Sequence, residues 1–304
     1  MYGSAGMGTD WRKTSPYTAG TDGQFGLYGM RSNLLLLKFS VPVAYGQDDW
    51  SVGIAPVMMY GALDMSFTDG NGAFGNGSSN DFGLGFELGG QYTLSDMGIT
   101  IAAKYLSPIS MTYDHQIQAA GQRFGFGTNV AGGGAAGFSD TLEQPAEIGV
   151  GVDWTQNDVS VTLDVKQVQW ESAEGYKDFG WEDQTVFGLG AEYRMNELAL
   201  RIGYNYASNP IKENTTQTGT VSGNPLSPTF NPATDGPTVG DAMNTLNAVM
   251  FPAVTENHYT LGAGYQFSER MGADFAFTYA TPGDRKEHTS ELQSRVHLVF
   301  RLLL

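Results

Sequence analysis

Four basic side chains occupy the same kind of position in this sequence, on the polar face of a segment whose other face is apolar. A cation in such a place can form a charge-assisted hydrogen bond with the carboxylate of a bound ligand. It can also form an internal ion pair with a carboxylate on the same face, and the two roles can coexist. The possible internal partners are Glu87, Asp164, Glu192 and Asp274. The four candidate ligand-binding cations are Lys38, Lys104, Lys166 and Arg201.

Aromatic side chains in a long glycine-rich connection form a second candidate site. Phe124, Phe126 and Phe138 lie in the segment 107–144, within which residues 117–122 are predicted to form a short helix. Apolar groups in an outer loop can form a groove that captures a hydrophobic ligand. They can also pack the loop onto itself, and the sequence leaves both interpretations open.

No motif for catalysis or metal binding is present. The segment Asp69-Gly70-Asn71-Gly72 lacks the spacing of a calcium-binding loop, and the chain contains no cysteine. No Ser–His or Asp–His motif is found, although a triad is recognised by geometry rather than by spacing. We therefore expect no enzyme activity, no cofactor and no metal site. The histidines, none spaced as metal ligands to another His or Cys, are His115, His258, His288 and His297.

Residues 185–207 show the element that must position these side chains. Phe187, Leu189, Ala191 and Tyr193 alternate with small or charged residues, and a second alternating run follows the break at 195–197. A period of two predicts β-strands, and two runs around a short polar break predict a hairpin. Ten such strands are predicted, at 33–45, 50–67, 83–94, 98–105, 146–154, 159–165, 185–194, 198–207, 258–267 and 272–279.

The connections alternate between short and long. Five polar turns join strands into hairpins, at 47–49, 95–97, 156–158, 195–197 and 268–270, while the hairpins are separated by long loops. Bacterial outer-membrane barrels have short periplasmic turns and long extracellular loops. The charged residues of the strands also share one face, as expected when the other face meets lipid. They are Lys38, Glu87, Lys104, Asp153, Asp164, Lys166, Glu192, Arg201 and Asp274.

The composition favours the same class. Glycine accounts for 41 of 304 residues, aromatic residues for 12% and charged residues for only 16%, against roughly 25% in soluble domains. No apolar run approaches the roughly 18 residues of a membrane helix. A net charge of −16 argues against nucleic acid as a partner. We predict an all-β transmembrane antiparallel β-barrel, and the alternative is a large soluble β-protein with one solvated face.

Several segments in order carry a resemblance to a known family. They include YGSAGMGTDW, LKFSVPVAYGQDDWSVGIAPVMMYG, GWEDQTVFGLGAEYRMNELALRIGYNYASNPI and ENHYTLGAGYQFSERMGADFAFTYA. The chain resembles the FadL-type outer-membrane transporters of long-chain fatty acids and aromatic hydrocarbons. The resemblance implies a monomeric barrel, fourteen-stranded in the family and ten to twelve strands here. It also implies passive uptake of hydrophobic small molecules, with the lipid bilayer and lipopolysaccharide as surroundings.

Both ends depart from the family pattern. The N-terminal hatch is not recognised, and we expect a fragment that lacks the hatch, the first strands, a signal peptide and the native C-terminal strand. Residues 1–284 are predicted to be the partial outer-membrane β-barrel. Residues 285–304 are predicted to be a non-native tail with a helical period, and a strand at 296–304 is the alternative. Two other functions stay open: a general diffusion porin and a structural or adhesive outer-membrane protein.

Overall fold

The computed structural model describes residues 2–10, 28–69, 72–123, 137–214, 239–251, 254–268, 271–282 and 296–303. Within them the chain is predominantly antiparallel sheet. The first half contains β1 (Tyr2–Asp10), β2 (Tyr28–Ser40), β3 (Val43–Gln47), β4 (Trp50–Asp69), β5 (Gly72–Gly75), β6 (Ser79–Leu94), β7 (Ile99–Leu106), β8 (Ile109–Thr112), α1 (Ile117–Arg123) and β9 (Thr141–Gln144). The second half contains β10 (Glu147–Gln156), β11 (Val159–Val168), β12 (Gln184–Met195), β13 (Leu198–Ala207), α2 (Val239–Met250), β14 (Thr255–Ser268), β15 (Met271–Pro282) and β16 (Val296–Leu303).

Twelve of these strands form one meander, in which each strand pairs with the next along the path. The order is β1-β2-β4-β6-β7-β10-β11-β12-β13-β14-β15-β16, with β3 and β5 added to β4. The predicted number of ten to twelve strands is therefore confirmed. Nine of the ten predicted strands correspond to single strands, whereas the one predicted at 33–45 is interrupted at 41–42, between β2 and β3. Within the described residues β1 and β16 end the order and are not paired with each other. The hairpin formed by β8 and β9 is a separate small sheet.

The two faces of the meander differ as the alternation predicts. On β6, Leu84 is 77% exposed and Phe86, Leu88 and Tyr92 are also exposed, whereas Gly83 on the opposite face is buried. We call the first side the outer face and the second the inner face. The outer face is apolar because it meets lipid acyl chains instead of water.

Aromatic side chains mark two levels of the outer face. Trp50 and Tyr60 are ten residues apart on β4, which corresponds to a height of about 25 Å for a strand tilted by roughly 40°. That is the height of the apolar band of an outer-membrane barrel. The ion pair between Arg31 and Asp64, 3.4 Å long, lies beyond Tyr60 along the strands. Charged side chains are therefore found on the outer face beyond the level of Tyr60, outside the apolar band.

Several segments differ from the sequence-based expectation. β5, β8 and β9 lie in connections that were predicted to be loops. The long connection 208–257 contains α2, which was not predicted, because the surrounding residues are rich in Asn, Thr, Pro and Gly. The spacing of its buried residues Met243, Leu246 and Met250 is the signal that could have revealed it. The helical interpretation of the C-terminal segment is wrong for Val296–Leu303, which pairs with β15 as β16. The open edge of β15 offers backbone hydrogen bonds that a helix would leave unused. The assignment of 285–304 as a non-native tail stays a prediction.

Neither α1 nor α2, the helices of the described part, has the length and apolar character needed to cross a membrane.

Candidate functional site

Lys38 and Lys104 share one carboxylate on the inner face. Lys38 Nζ donates a close hydrogen bond to Glu87 Oε1, and Lys104 Nζ lies 3.6 Å from the same oxygen. The Lys104 side chain is 57% exposed and that of Lys38 29% exposed. One carboxylate faces two cations, so this cluster carries one excess positive charge, and Lys104 is the more loosely held of the two.

Lys166 has a partner that the sequence analysis did not name. Its Nζ donates to Glu147 Oε2 at 3.0 Å, and Asp164 is not the acceptor. Lys166 lies opposite Gly149 in the register of β10 and β11, and Glu147 is two residues from Gly149 on the same inner face. The diagonal pair forms because a long lysine side chain can cross the bare glycine.

Arg201 belongs to a network of four charges. Its Nε donates to Glu192 Oε2 at 2.6 Å and its Nη1 donates to Asp274 Oδ1 at 2.7 Å. Arg194 Nε donates to the other oxygen of Glu192 at 2.6 Å. The network is neutral overall and joins β12, β13 and β15, with Arg201 reaching Asp274 across Gly264 of the intervening strand β14. Arg201 therefore forms internal ion pairs on the inner face, which was one of the two roles considered for it from the sequence.

Glycines open shallow depressions between these charged clusters. One depression of about 390 Å³ lies over the inner face of β7, β10, β11, β12 and β13, where the register places glycines beside polar groups. Lys104 reaches this depression and also a second one, of about 360 Å³, over β4 and β6. A flexible cation between two open depressions can meet a ligand in either of them. The polar lining residues of the first are Lys104, Asp164, Lys166 and Asn205.

The part of the inner face nearest the long loops is apolar and is covered by those loops. Leu34 and Leu36 on β2 and Val57, Met59 and Met65 on β4 are buried against residues from the loops. The covering elements are the β8–β9 hairpin, α1, residues 170–181 and α2, and we call them the loop plug. Its buried side chains are Ile109, Met111, Tyr113, Ile117, Ala120, Phe138, Leu142, Ala173, Tyr176, Phe179, Trp181, Met243, Leu246, Met250 and Phe251.

The predicted aromatic site falls partly within this plug. Phe138 is buried, and its ring centroid lies 4.9 Å from that of Phe179. Phe138 thus packs the loops together, which was one of the two interpretations, and its role in ligand binding stays a prediction. Phe124 and Phe126 lie outside the described residues.

A cluster of rings that the sequence analysis did not single out lies beside Phe138. Trp181 contacts Trp170 at 5.0 Å, Tyr176 at 4.8 Å and Phe251 at 4.8 Å between ring centroids. Most of these contacts are edge-to-face, the arrangement that aromatic pairs prefer. Burial raises the pKa of the Tyr176 phenol to about 12. Burial likewise raises the pKa of Tyr113, so both phenols stay uncharged and the plug keeps its apolar character.

Asn247 joins α2 to this ring cluster through both ends of its amide. Its Oδ1 accepts from Trp181 Nε1 at 3.1 Å and its Nδ2 donates to the Phe179 carbonyl at 2.9 Å. Asn247 is buried. If its amide were removed, water could not take its place, and Trp181 Nε1 and the Phe179 carbonyl would be left without a hydrogen-bond partner.

We expect Asn247→Ala to loosen α2 from the plug. Leaving two buried groups unpaired costs about 1–3 kcal/mol, which corresponds to amide hydrogen exchange about ten- to a hundredfold faster in residues 239–250. Asn244→Ala is the matched control, because Asn244 bonds only half-buried backbone groups of Asn214. Equal exchange in the two variants would contradict this role of Asn247.

Comparison with known proteins gives a family match and several structural neighbours. Residues 1–221 match the family described as outer membrane protein transport protein (OMPP1/FadL/TodX). A TodX deltaS2S3 mutant, a monoaromatic hydrocarbon channel, matches with 16% identity and a TM-score of 0.58, covering 99% of this chain and 77% of its own. The Pseudomonas putida toluene transporter TodX matches with 16% identity and a TM-score of 0.55, covering 92% of this chain and 72% of its own.

A third neighbour is a Pseudomonas aeruginosa FadL homologue. It has 14% identity and a TM-score of 0.54, covering 93% of this chain and 67% of its own. At such identities the structural likeness establishes the fold alone, which is that of an outer-membrane β-barrel. No curated protein sequence matches the chain.

Proposed function

Because the chain belongs to the outer membrane protein transport family (OMPP1/FadL/TodX) and is located in the outer membrane, we propose that it mediates passive uptake of hydrophobic small molecules. The proposed ligands are long-chain fatty acids or aromatic hydrocarbons. The family consists of transport proteins, so catalysis is not part of the proposal. We further propose that the chain acts as a monomer surrounded by lipid and lipopolysaccharide.

The observation that carries this proposal is the apolar inner face beneath the loop plug. The lumen of a general porin is polar and filled with water, whereas here Leu34, Leu36, Val57 and Met59 face inward and are buried. A hydrophobic ligand that enters between such side chains gains about 0.8 kcal/mol per buried CH₂. The Pseudomonas putida neighbour is a toluene transporter, which supports aromatic hydrocarbons as candidates.

Uptake by whole cells tests the proposal. Cells that lack their own transporter and produce this chain are expected to accumulate labelled oleate or labelled toluene faster than cells with an empty vector. Equal accumulation of both compounds in the two strains would refute the proposed function.

Lys104 is the cation that we propose to contact a carboxylate ligand. It is the most exposed of the four candidate cations, and its contact with Glu87 is the longest of their ion pairs. Lys38, Lys166 and Arg201 are held by closer partners, so a ligand would have to displace a carboxylate from each of them.

Replacing Lys104 by methionine is expected to slow uptake of oleate about two- to fivefold, since an exposed ion pair contributes at most about 1 kcal/mol. Uptake of toluene, which has no charge, is expected to stay unchanged, and the ratio of the two rates is the measurement. Lys166→Met is the control variant. A parallel decrease for oleate and toluene would show that Lys104 supports the structure instead of binding the carboxylate.

A further inference from the structure

The β8–β9 hairpin lies on a seat of three inward-facing glycines. A methyl group in place of the Gly83 hydrogen would lie 2.7 Å from the Ser110 carbonyl oxygen, and one on Gly85 would lie 2.7 Å from Ile109 Cγ1. On β4, a methyl group on Gly61 would lie 2.9 Å from Met111 Sδ. The hairpin therefore approaches the barrel wall as closely as it does only because these three positions carry no side chain.

The seat is a local feature of the wall, and not every inward-facing glycine of β6 belongs to it. Gly89 is on the same strand and faces the same side, yet a methyl group there would meet only the Ala103 carbonyl oxygen, at 3.8 Å. The glycines of the seat lie directly beneath Ile109, Met111 and Tyr113, which are almost completely buried. The hairpin fits the wall at the level of the seat and leaves the wall open further along the strand.

Hydrogen bonds attach both ends of β8 to β6. Ser107 exchanges two bonds with Phe86, because its backbone N donates to the Phe86 carbonyl at 3.0 Å and its Oγ accepts from the Phe86 N at 3.0 Å. The Thr112 backbone N donates to Asp81 Oδ2 at 2.8 Å. Between these points β8 pairs with β9 and does not join the barrel meander. β9 is also tied to the rest of the plug, because the Glu143 backbone N donates to the Glu174 carbonyl at 2.9 Å. Since neither β8 nor β9 belongs to the meander, the small sheet can leave the wall without breaking the barrel ladder.

We propose that the β8–β9 hairpin is the gate of the lumen. Seated on Gly61, Gly83 and Gly85, it closes the loop side of the lumen to water-soluble solutes. It lifts from the seat when a hydrophobic ligand enters. This proposal rests on the proposed function in one respect, that the ligand passes through the lumen. The hairpin closes the lumen to polar solutes whichever ligand is carried.

The first test removes the seat. The double variant Gly83→Ala/Gly85→Ala pushes the hairpin from the wall, and Gly89→Ala is the control on the same strand and face. In planar lipid bilayers we expect a several-fold higher ionic conductance for the double variant, and the control is expected to equal the unchanged chain. A folded double variant whose conductance equals that of the control would overturn the gate.

The second test holds the hairpin down and does not depend on the folding of the first variant. The chain contains no cysteine, so Asp81→Cys/Thr112→Cys introduces a single possible disulfide between β6 and the hairpin. Oxidation is expected to abolish uptake of labelled toluene and reduction to restore it, with the oxidised single variant Thr112→Cys as control. The disulfide is confirmed by the loss of both free thiols on oxidation. Uptake that continues in the double variant once both thiols are lost would overturn the gate. Absence of uptake by the unchanged chain would count against the proposed function alone, since the conductance test still judges the gate.

Discussion

Trp181→Ala is expected to release the loop plug while the barrel strands stay folded. Trp181 contacts three other rings and donates a hydrogen bond to Asn247. Replacing a buried tryptophan by alanine costs about 3–5 kcal/mol, which corresponds to amide exchange at least a hundredfold faster. The effect is confined to the plug because Trp181 lies outside the barrel strands. Its backbone pairing is an isolated β-bridge with Ile211 and is not part of the barrel ladder.

Hydrogen exchange read by mass spectrometry measures this effect segment by segment. Residues 173–181 and 239–250 are expected to lose protection, and β10 to β13 are expected to keep it. Trp154→Ala is the control, because Trp154 is on the outer face of β10 and does not contact the plug. Unchanged protection of both loop segments in Trp181→Ala would contradict the packing described for the plug.

A lysine at position 150 is expected to lower the free energy of unfolding by about 2–4 kcal/mol, the cost of a cation at the middle of the lipid-facing band. Val150 is exposed on the outer face near the centre of β10, opposite Ala103 and Val165. Unfolding in urea and refolding into lipid vesicles provide the measurement.

Thr162→Lys is the matched variant for this experiment. Thr162 lies near the centre of β11 on the inner face, where Asp164 and Lys166 already place charges. Its unfolding free energy is expected to change by less than about 1 kcal/mol, because the ammonium group remains in the lumen. If Thr162→Lys destabilised the protein as much as Val150→Lys, the assignment of outer and inner faces would be wrong.

The sequence predicts the barrel strands well because successive residues of each strand alternate between an apolar face and a polar face. β12 and β13 illustrate this, since Leu189 and Ile202 are exposed on the outer face while Glu192 and Arg201 pair on the inner face. The membrane makes the signal strong, because an apolar outer face and a polar lumen impose opposite demands on successive residues.

The plug could not be predicted in the same way. β8 and β9 are four residues each, too short for a reliable period, and their burial depends on a wall that is distant in sequence. Gly83, Gly85 and Gly89 look alike in the sequence, yet only the first two lie beneath the hairpin. The ion pairs show the same limit. Lys166 could be recognised as an inner-face cation, but its choice of Glu147 depends on strand register.

Solute selectivity of the purified chain in lipid vesicles tests the central claim, an outer-membrane route for hydrophobic molecules, most directly. The vesicles carry lipopolysaccharide in the outer leaflet, because a phospholipid bilayer alone does not hold back toluene. The measurement compares initial rates of entry for labelled toluene and for labelled arabinose, a polar molecule of comparable size, with protein-free vesicles subtracted. The account predicts faster entry of toluene and no protein-dependent entry of arabinose, because the inner face at the loop plug is apolar and covered. Protein-dependent entry of arabinose at the rate of toluene would contradict it and would identify a general diffusion porin.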